Sequence, residues 1–132
     1  MAERPTVAMF VYGTLRPGHG NYRWAARGVD ESRTVRDVRI GGDLYFVHGS
    51  GGYPVAKLDG EGEIVGDVVF FYEDSPEYHD VYRMEDGAGY DLIQVVPEDW
   101  DSDVPVYAWH YRGEPRGKQI RSGDWAAEAY AR

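Results

Sequence analysis

The sequence predicts an α+β fold: a small mixed β-barrel, closed or nearly closed, of about six or seven short strands with short helices on its outside. Three observations predict it. Seventeen glycines interrupt a chain that is 14% aromatic and holds 11 tyrosines, so aromatic and β-branched runs alternate with turns. Only the segment after Ser75 carries a full set of helix signals. The 132 residues make a single domain, 1–132, with a core of its own, and closing the sheet would leave no bare strand edge.

The elements follow in order. Thr6–Tyr12 is the first strand and Gly13–Gly20 its exit loop. Asn21–Arg27 is a short helix anchored by Trp24. Ser32–Ile40 and Gly42–His48 read as strands, Gly49–Gly52 as loop, Val55–Leu58 as a short strand and Asp59–Gly62 as a turn. Ile64–Tyr72 is the strongest strand signal, since its GDVVFF run is apolar enough for burial on both faces. Ser75 can cap the free amides of a helix, Pro76 at the first helical position needs no donor, and Glu77 suits the positive end of the dipole. That helix should run to about Glu85 and stop at Gly87-Ala88-Gly89. Tyr90–Val96 and Val104–Tyr111 read as an antiparallel pair. Ser122 caps a last helix through Asp124–Ala131. No segment repeats another.

Composition removes whole classes of function. There is no cysteine, hence no disulfide scaffold, thiol nucleophile or thiolate metal site. The net charge of −9 opposes binding to nucleic acid or an anionic membrane. No run approaches the length of a membrane span, and the N-terminus lacks the pattern of a secretory leader, so a cytoplasmic location is expected. The charge is uneven: residues 1–60 balance to +2 and residues 61–132 to −11. A small anion would be drawn to the arginine-bearing first half.

Two places carry chemistry. The first is the glycine loop after strand one, Tyr12-Gly13-Thr14-Leu15-Arg16-Pro17-Gly18. Glycines permit positive φ and expose successive backbone N–H groups, a nest for a carboxylate or a developing oxyanion, with Arg16 as a charged donor nearby. The loop lacks the lysine and hydroxyl of a phosphate loop and the three-glycine spacing of a dinucleotide site. His19 reads as a loop residue.

The second is a glutamate where an apolar residue belongs. Tyr78, Val81, Tyr82 and Glu85 share one helix face, while Glu77, His79, Asp80, Arg83 and Asp86 take the other. Burial and the helix C-terminus both disfavour the charged carboxylate, so Glu85 should hold its proton unusually well, as acid–base chemistry near neutrality requires.

The remaining constellations are weaker. Asp99, Asp101 and Asp103 imitate a calcium loop, but Val104 stands where its glycine belongs and His110 where its closing glutamate belongs. His19, His48, His79 and His110 lack zinc-ligand spacing. Trp100, Trp109 and Trp125 have no basic stripe beside them for stacking nucleobases.

VYGTLRPG (Val11–Gly18), GGYPV (Gly51–Val55), GDVVFF (Gly66–Phe71) and MEDGAGY (Met84–Tyr90) stand in an order and spacing that resemble the gamma-glutamylcyclotransferase family, its gamma-glutamylamine cyclotransferase and AIG2-like branches included. The likeness covers roughly residues 6–112. It implies a small β-barrel with flanking helices and the release of 5-oxoproline from a γ-glutamyl amide or γ-glutamylamine. It places the catalytic glutamate at Glu85 and gives Tyr12, Gly13, Thr14 and Leu15 to the glutamyl group. Arg16 and Arg23 become candidates to pair with a carboxylate, Tyr53 to line the amine side, and Tyr90 to offer a hydroxyl. The implied partner is a small γ-glutamyl substrate, with no metal, redox cofactor, nucleic acid or membrane, and with the oligomeric state left open. The pattern departs at three points. Val81-Tyr82 replaces the family's Leu-Asp, Asp86 replaces the glycine after the glutamate, and Leu92 replaces the arginine of Tyr-x-Arg. A silent binding protein of the same fold is the alternative.

Overall fold

The strand Thr6–Val11 (β1) lies at the centre of the molecule because both of its faces are apolar. Ala8 and Phe10 point to one core with Tyr12, while Met9 and Val11 point to another. In this computed structural model, which describes residues 4–47, 53–115 and 117–126, that alternation organises everything else. Phe10 and Phe71, one from each core, are fully buried and contribute roughly 1.5–3 kcal/mol apiece.

After β1 come a four-residue helix, Tyr22–Ala25 (α1), and two single 3-10 turns, Ala26–Gly28 and Glu31–Arg33. Then follow β2 (Val35–Gly41), β3 (Asp43–Val47), β4 (Tyr53–Lys57), β5 (Glu63–Tyr72), α2 (Pro76–Gly87), β6 (Tyr90–Val95), β7 (Val106–Tyr111) and β8 (Lys118–Gln119). Five strands form one sheet in the order β2-β5-β1-β7-β6, and three form another in the order β4-β3-β8. β1 runs antiparallel to β5, from Thr6 opposite Tyr72 to Val11 opposite Asp67, and parallel to β7, with Ala8 opposite Val106. One face of the large sheet packs on Leu44 and Ala56 of the small sheet; the other packs beneath Ala25, Val29 and Val81. No helix among the described residues is long and apolar enough to cross a membrane.

The α+β class stands, but the strands are not closed into a single barrel. Gly42 alone separates β2 from β3, and its φ of +145° turns the chain from one sheet into the other. The edges are blunted locally instead. β2 carries a bulge between Val35 and Val38, and the Glu98 N–H bonds to the Arg39 carbonyl at 2.8 Å. Gly42 is required at this corner, since a Cβ there would meet Ile64 Cδ1 at 2.9 Å and the Lys57 carbonyl at 3.1 Å. Gly42→Ala is expected to cost about 1–3 kcal/mol through strain at this dihedral, read as a lowered urea midpoint with an unchanged m-value.

Sequence boundaries shift where local hydrogen bonds win. Asp30 accepts from the Ser32 amide, so the residues expected to open a strand form a 3-10 turn and β2 begins at Val35. β8 was not foreseen, because two residues show no alternation. The helix expected over Asp124–Ala131 begins with a turn at Trp125 and Ala126 and otherwise lies outside the described residues. His48 and Gly49–Gly52 lie outside them too.

α2 follows its signals. The Ser75 hydroxyl accepts from the Tyr78 amide at 3.1 Å, Pro76 opens the first turn, and Gly89 at φ +101° follows the last. Val81 is buried as its face requires, but Tyr82 is not. The residue is 44% exposed, at the rim of the helix face, and its ring meets Trp109 edge-on at 5.3 Å.

Candidate active site

The site starts where β1 ends. Tyr12 is buried, and its hydroxyl donates to the Trp109 carbonyl at 2.8 Å. Gly13 follows with an ordinary dihedral; the positive φ expected of this loop falls at Gly18 instead. Gly13 is needed for space, since a Cβ would sit 2.6 Å from Pro54 Cγ. The carbonyls of Gly13, Thr14 and Arg16 accept from the amides of Arg16, Tyr22 and His19 at 3.0, 3.1 and 3.0 Å. Among the described residues no acceptor takes the N–H of Gly13, Thr14 or Leu15. The turn thus uses its carbonyls inward and leaves three donors for something else.

Facing this loop is the end of α2. A cavity of about 240 Å³ is lined by Tyr12, Gly13, Thr14 and Leu15, by Met84, Glu85 and Ala88, and by Tyr90 and Trp109, with Asn21 and Pro54 at its sides. Burial raises the Glu85 carboxyl from 4.5 to about 7. The Tyr12 phenol is also pushed well up, first by burial and then by Tyr90 and Glu85, so it is a neutral donor at any physiological pH. The Tyr90 hydroxyl donates to the Pro54 carbonyl at 3.1 Å, tying β6 to β4 across the cavity.

Asp86 does not press on Glu85. Arg112 draws it away: its guanidinium lies 3.4 Å from the Asp86 carboxylate and 2.7 Å from that of Asp91, and donates to the carbonyls of Asp86 and Tyr90. That one arginine closes the C-terminus of α2 onto β6.

Arg16 departs from its expected role. It does not line the cavity; it is 5% exposed and paired with Asp67, which is fully buried, through Nε at 3.1 Å and Nη2 at 3.4 Å. A second contact runs to Asp124 at 3.2 Å. A buried cation needs buried counter-charge, and the sheet supplies it behind the loop rather than in front. Arg16 therefore anchors the loop. Arg23 lines a separate groove with Trp24, Arg27, Glu77 and Asp80. Tyr53 opens β4, but its side chain lies outside the described residues. His19 packs against Trp125, its ring 5.5 Å away, and does not line the cavity. Asn21 was missed, since a lone asparagine before a helix reads as a cap; its role was legible only in three dimensions.

The sequence model of the family described as "Gamma-glutamyl cyclotransferase, AIG2-like" matches residues 9–127. The chain belongs to that family. Within it, PH0828 of Pyrococcus horikoshii, which bears the name "Putative gamma-glutamylcyclotransferase", is 31% identical over 124 residues, spanning 93% of this chain and 94% of its own. The crystal structure of PH0828 superposes with a TM-score of 0.71 at 29% identity, over 95% of this chain and 93% of that one. An AIG2-like protein from Mus musculus shares the fold at a TM-score of 0.58 and 18% identity, covering 83% of this chain and 80% of its own. Membership in the gamma-glutamyl cyclotransferase, AIG2-like family supports a cyclotransferase-type function.

Proposed function

We propose that the protein is a cyclotransferase that releases 5-oxoproline from a γ-glutamyl amide or γ-glutamylamine, with Glu85 as the general acid and base. The observation that carries this reading is the Glu85 carboxyl, poised at about 7 in a cavity also lined by Gly13, Thr14 and Leu15, whose amides meet no acceptor among the described residues. The substrate brings its own nucleophile, so the protein has only to fold it and move protons. Glu85 takes a proton from the α-ammonium, and the free amine attacks the γ-carbonyl carbon. Amides of Gly13, Thr14 and Leu15 supply donors for oxygen-borne negative charge, and Tyr12 adds a neutral wall beside the base. The bond to the leaving nitrogen breaks as protons reach it from the carboxyl. Two protons leave the attacking nitrogen and two arrive on the departing one, so Glu85 ends each cycle as it began.

The test is chromatographic detection of 5-oxoproline with γ-glutamyl dipeptides, γ-glutamyl-lysine and glutathione as substrates. Release of lactam and free amine in equal amounts supports the reading; no release from any of the three by folded protein counts against it and favours a binding protein. A pH profile tests the base separately. In free enzyme the working form is the carboxylate, so kcat/KM is expected to fall tenfold for each pH unit below about 7. A profile flat down to about pH 5 would remove Glu85 as the base.

A further inference from the structure

We infer that Trp24, Asn21 and Thr14 form a one-way hydrogen-bond chain that makes the Thr14 hydroxyl a donor to the α-carboxylate of the bound substrate. The inference rests on the proposed cyclotransferase reading for the identity of the ligand. Its polarity does not.

The chain starts from a group with no choice. The Trp24 indole N–H can only donate, and it lies 3.0 Å from the Asn21 side-chain oxygen. That contact fixes the amide: its oxygen faces Trp24 and its nitrogen faces Thr14. Asn21 Nδ2 accordingly donates to Thr14 Oγ1 at 2.7 Å. The hydroxyl has one proton, and with that lone pair occupied the proton must point elsewhere. Among the described residues nothing accepts it, and Thr14 and Asn21 both line the cavity. Asn21 stands at the N-cap of α1 yet makes no capping bond with its side chain, which is spent on Thr14 and Trp24 instead.

The ligand chemistry follows from what the cavity lacks. Among the described residues no lysine or arginine lines it, and Arg16 is committed to Asp67 and Asp124. A γ-glutamyl compound carries a permanent α-carboxylate, and the described lining offers it neutral donors. A hydroxyl already accepting one hydrogen bond donates a stronger second one, and a bond to an ionised acceptor is worth about twice a neutral one. Because the carboxylate is present before and after the reaction, the chain acts on binding rather than on the chemical step.

The experiment measures kcat and KM for lactam release, and Kd for 5-oxo-L-proline, in wild type, Thr14→Val, Thr14→Ser and Asn21→Asp. Thr14→Val is expected to raise KM and Kd about tenfold while kcat stays within about threefold. Thr14→Ser recovers most of that loss. Asn21→Asp can accept from Trp24 and from Thr14 together, so it captures the hydroxyl proton and adds a negative charge; KM and Kd rise at least as far as in Thr14→Val. Thermal melts confirm that each variant is folded. Unchanged KM and Kd in Thr14→Val or Asn21→Asp overturn the inference, as does a fall confined to kcat, which would put the hydroxyl on the oxyanion. If wild type binds 5-oxo-L-proline with this variant pattern but releases no lactam, the donor chain stands and the enzymatic reading falls. If wild type neither binds it nor releases lactam, both fall.

Discussion

Glu85→Gln is expected to lose 5-oxoproline release by a factor of about 10²–10⁴ and, at the same time, to gain stability above neutral pH. The two effects share one cause. Burial that suits the carboxyl for proton transfer also opposes its ionisation in the folded chain. The folded value is about 7 against 4.5 for the free group. Between those values the native state binds more protons than the unfolded state, so stability falls as pH rises. The cost is absent below about 4.5, grows through the interval and is complete above about 7. With allowance for the partial contact of Glu85 with water, its full size is on the order of 2 kcal/mol. Glutamine never ionises and escapes it. Urea unfolding of both proteins at about pH 5 and about pH 8 should show a difference that widens at the higher pH. A difference that is the same at both pH values would mean that the carboxyl is not held back by its surroundings.

The second large effect lies behind the glycine loop. Asp67→Ala is expected to destabilise the protein by about 3–5 kcal/mol, because it removes the fully buried counter-charge that takes two hydrogen bonds from the Arg16 guanidinium and leaves only the partly exposed Asp124 and Asp37 beside it. The loss is severe against a typical total of about 5–15 kcal/mol. Asp67 is fully buried and also accepts from the Asp37 amide at 2.9 Å, so no water can replace it without rearrangement. Replacing both partners by apolar residues, Arg16→Met with Asp67→Leu, should cost much less than the two single changes added together. A double-mutant cycle in urea measures this directly. Additive losses would show that Arg16 and Asp67 do not act as a pair, and that the anchor of the loop lies elsewhere.

Much of the fold was legible because it rests on short-range rules. The Ser75-Pro76-Glu77 start of α2, the apolar run of β5 and the break after β1 each declare themselves within a few residues. Closure was not legible. It turned on one dihedral at Gly42, and nothing in a glycine's neighbours says whether it bends a strand or ends a sheet. Within the site, Glu85 stood out as an acid in an apolar periodicity, and the loop through its glycines. Arg16 misled for a physical reason: charge in a sequence looks available, whereas in the fold it was claimed by Asp67, 51 residues away. Asn21 and Arg112 were invisible because their roles depend on partners that only the packing brings within reach.

The place of β1 in its sheet sets the order in which the molecule can be made. Its neighbours are β5, some 60 residues later, and β7, about 100 residues later. The central ladder cannot close until nearly the whole chain is available, and each of those closures spends loop entropy before any contact repays it. The folding rate should therefore be that of a high-contact-order protein, slow among domains of its length. During synthesis β1 waits with both apolar faces uncovered, so the strand that later carries the glycine loop is first a segment in need of protection from aggregation.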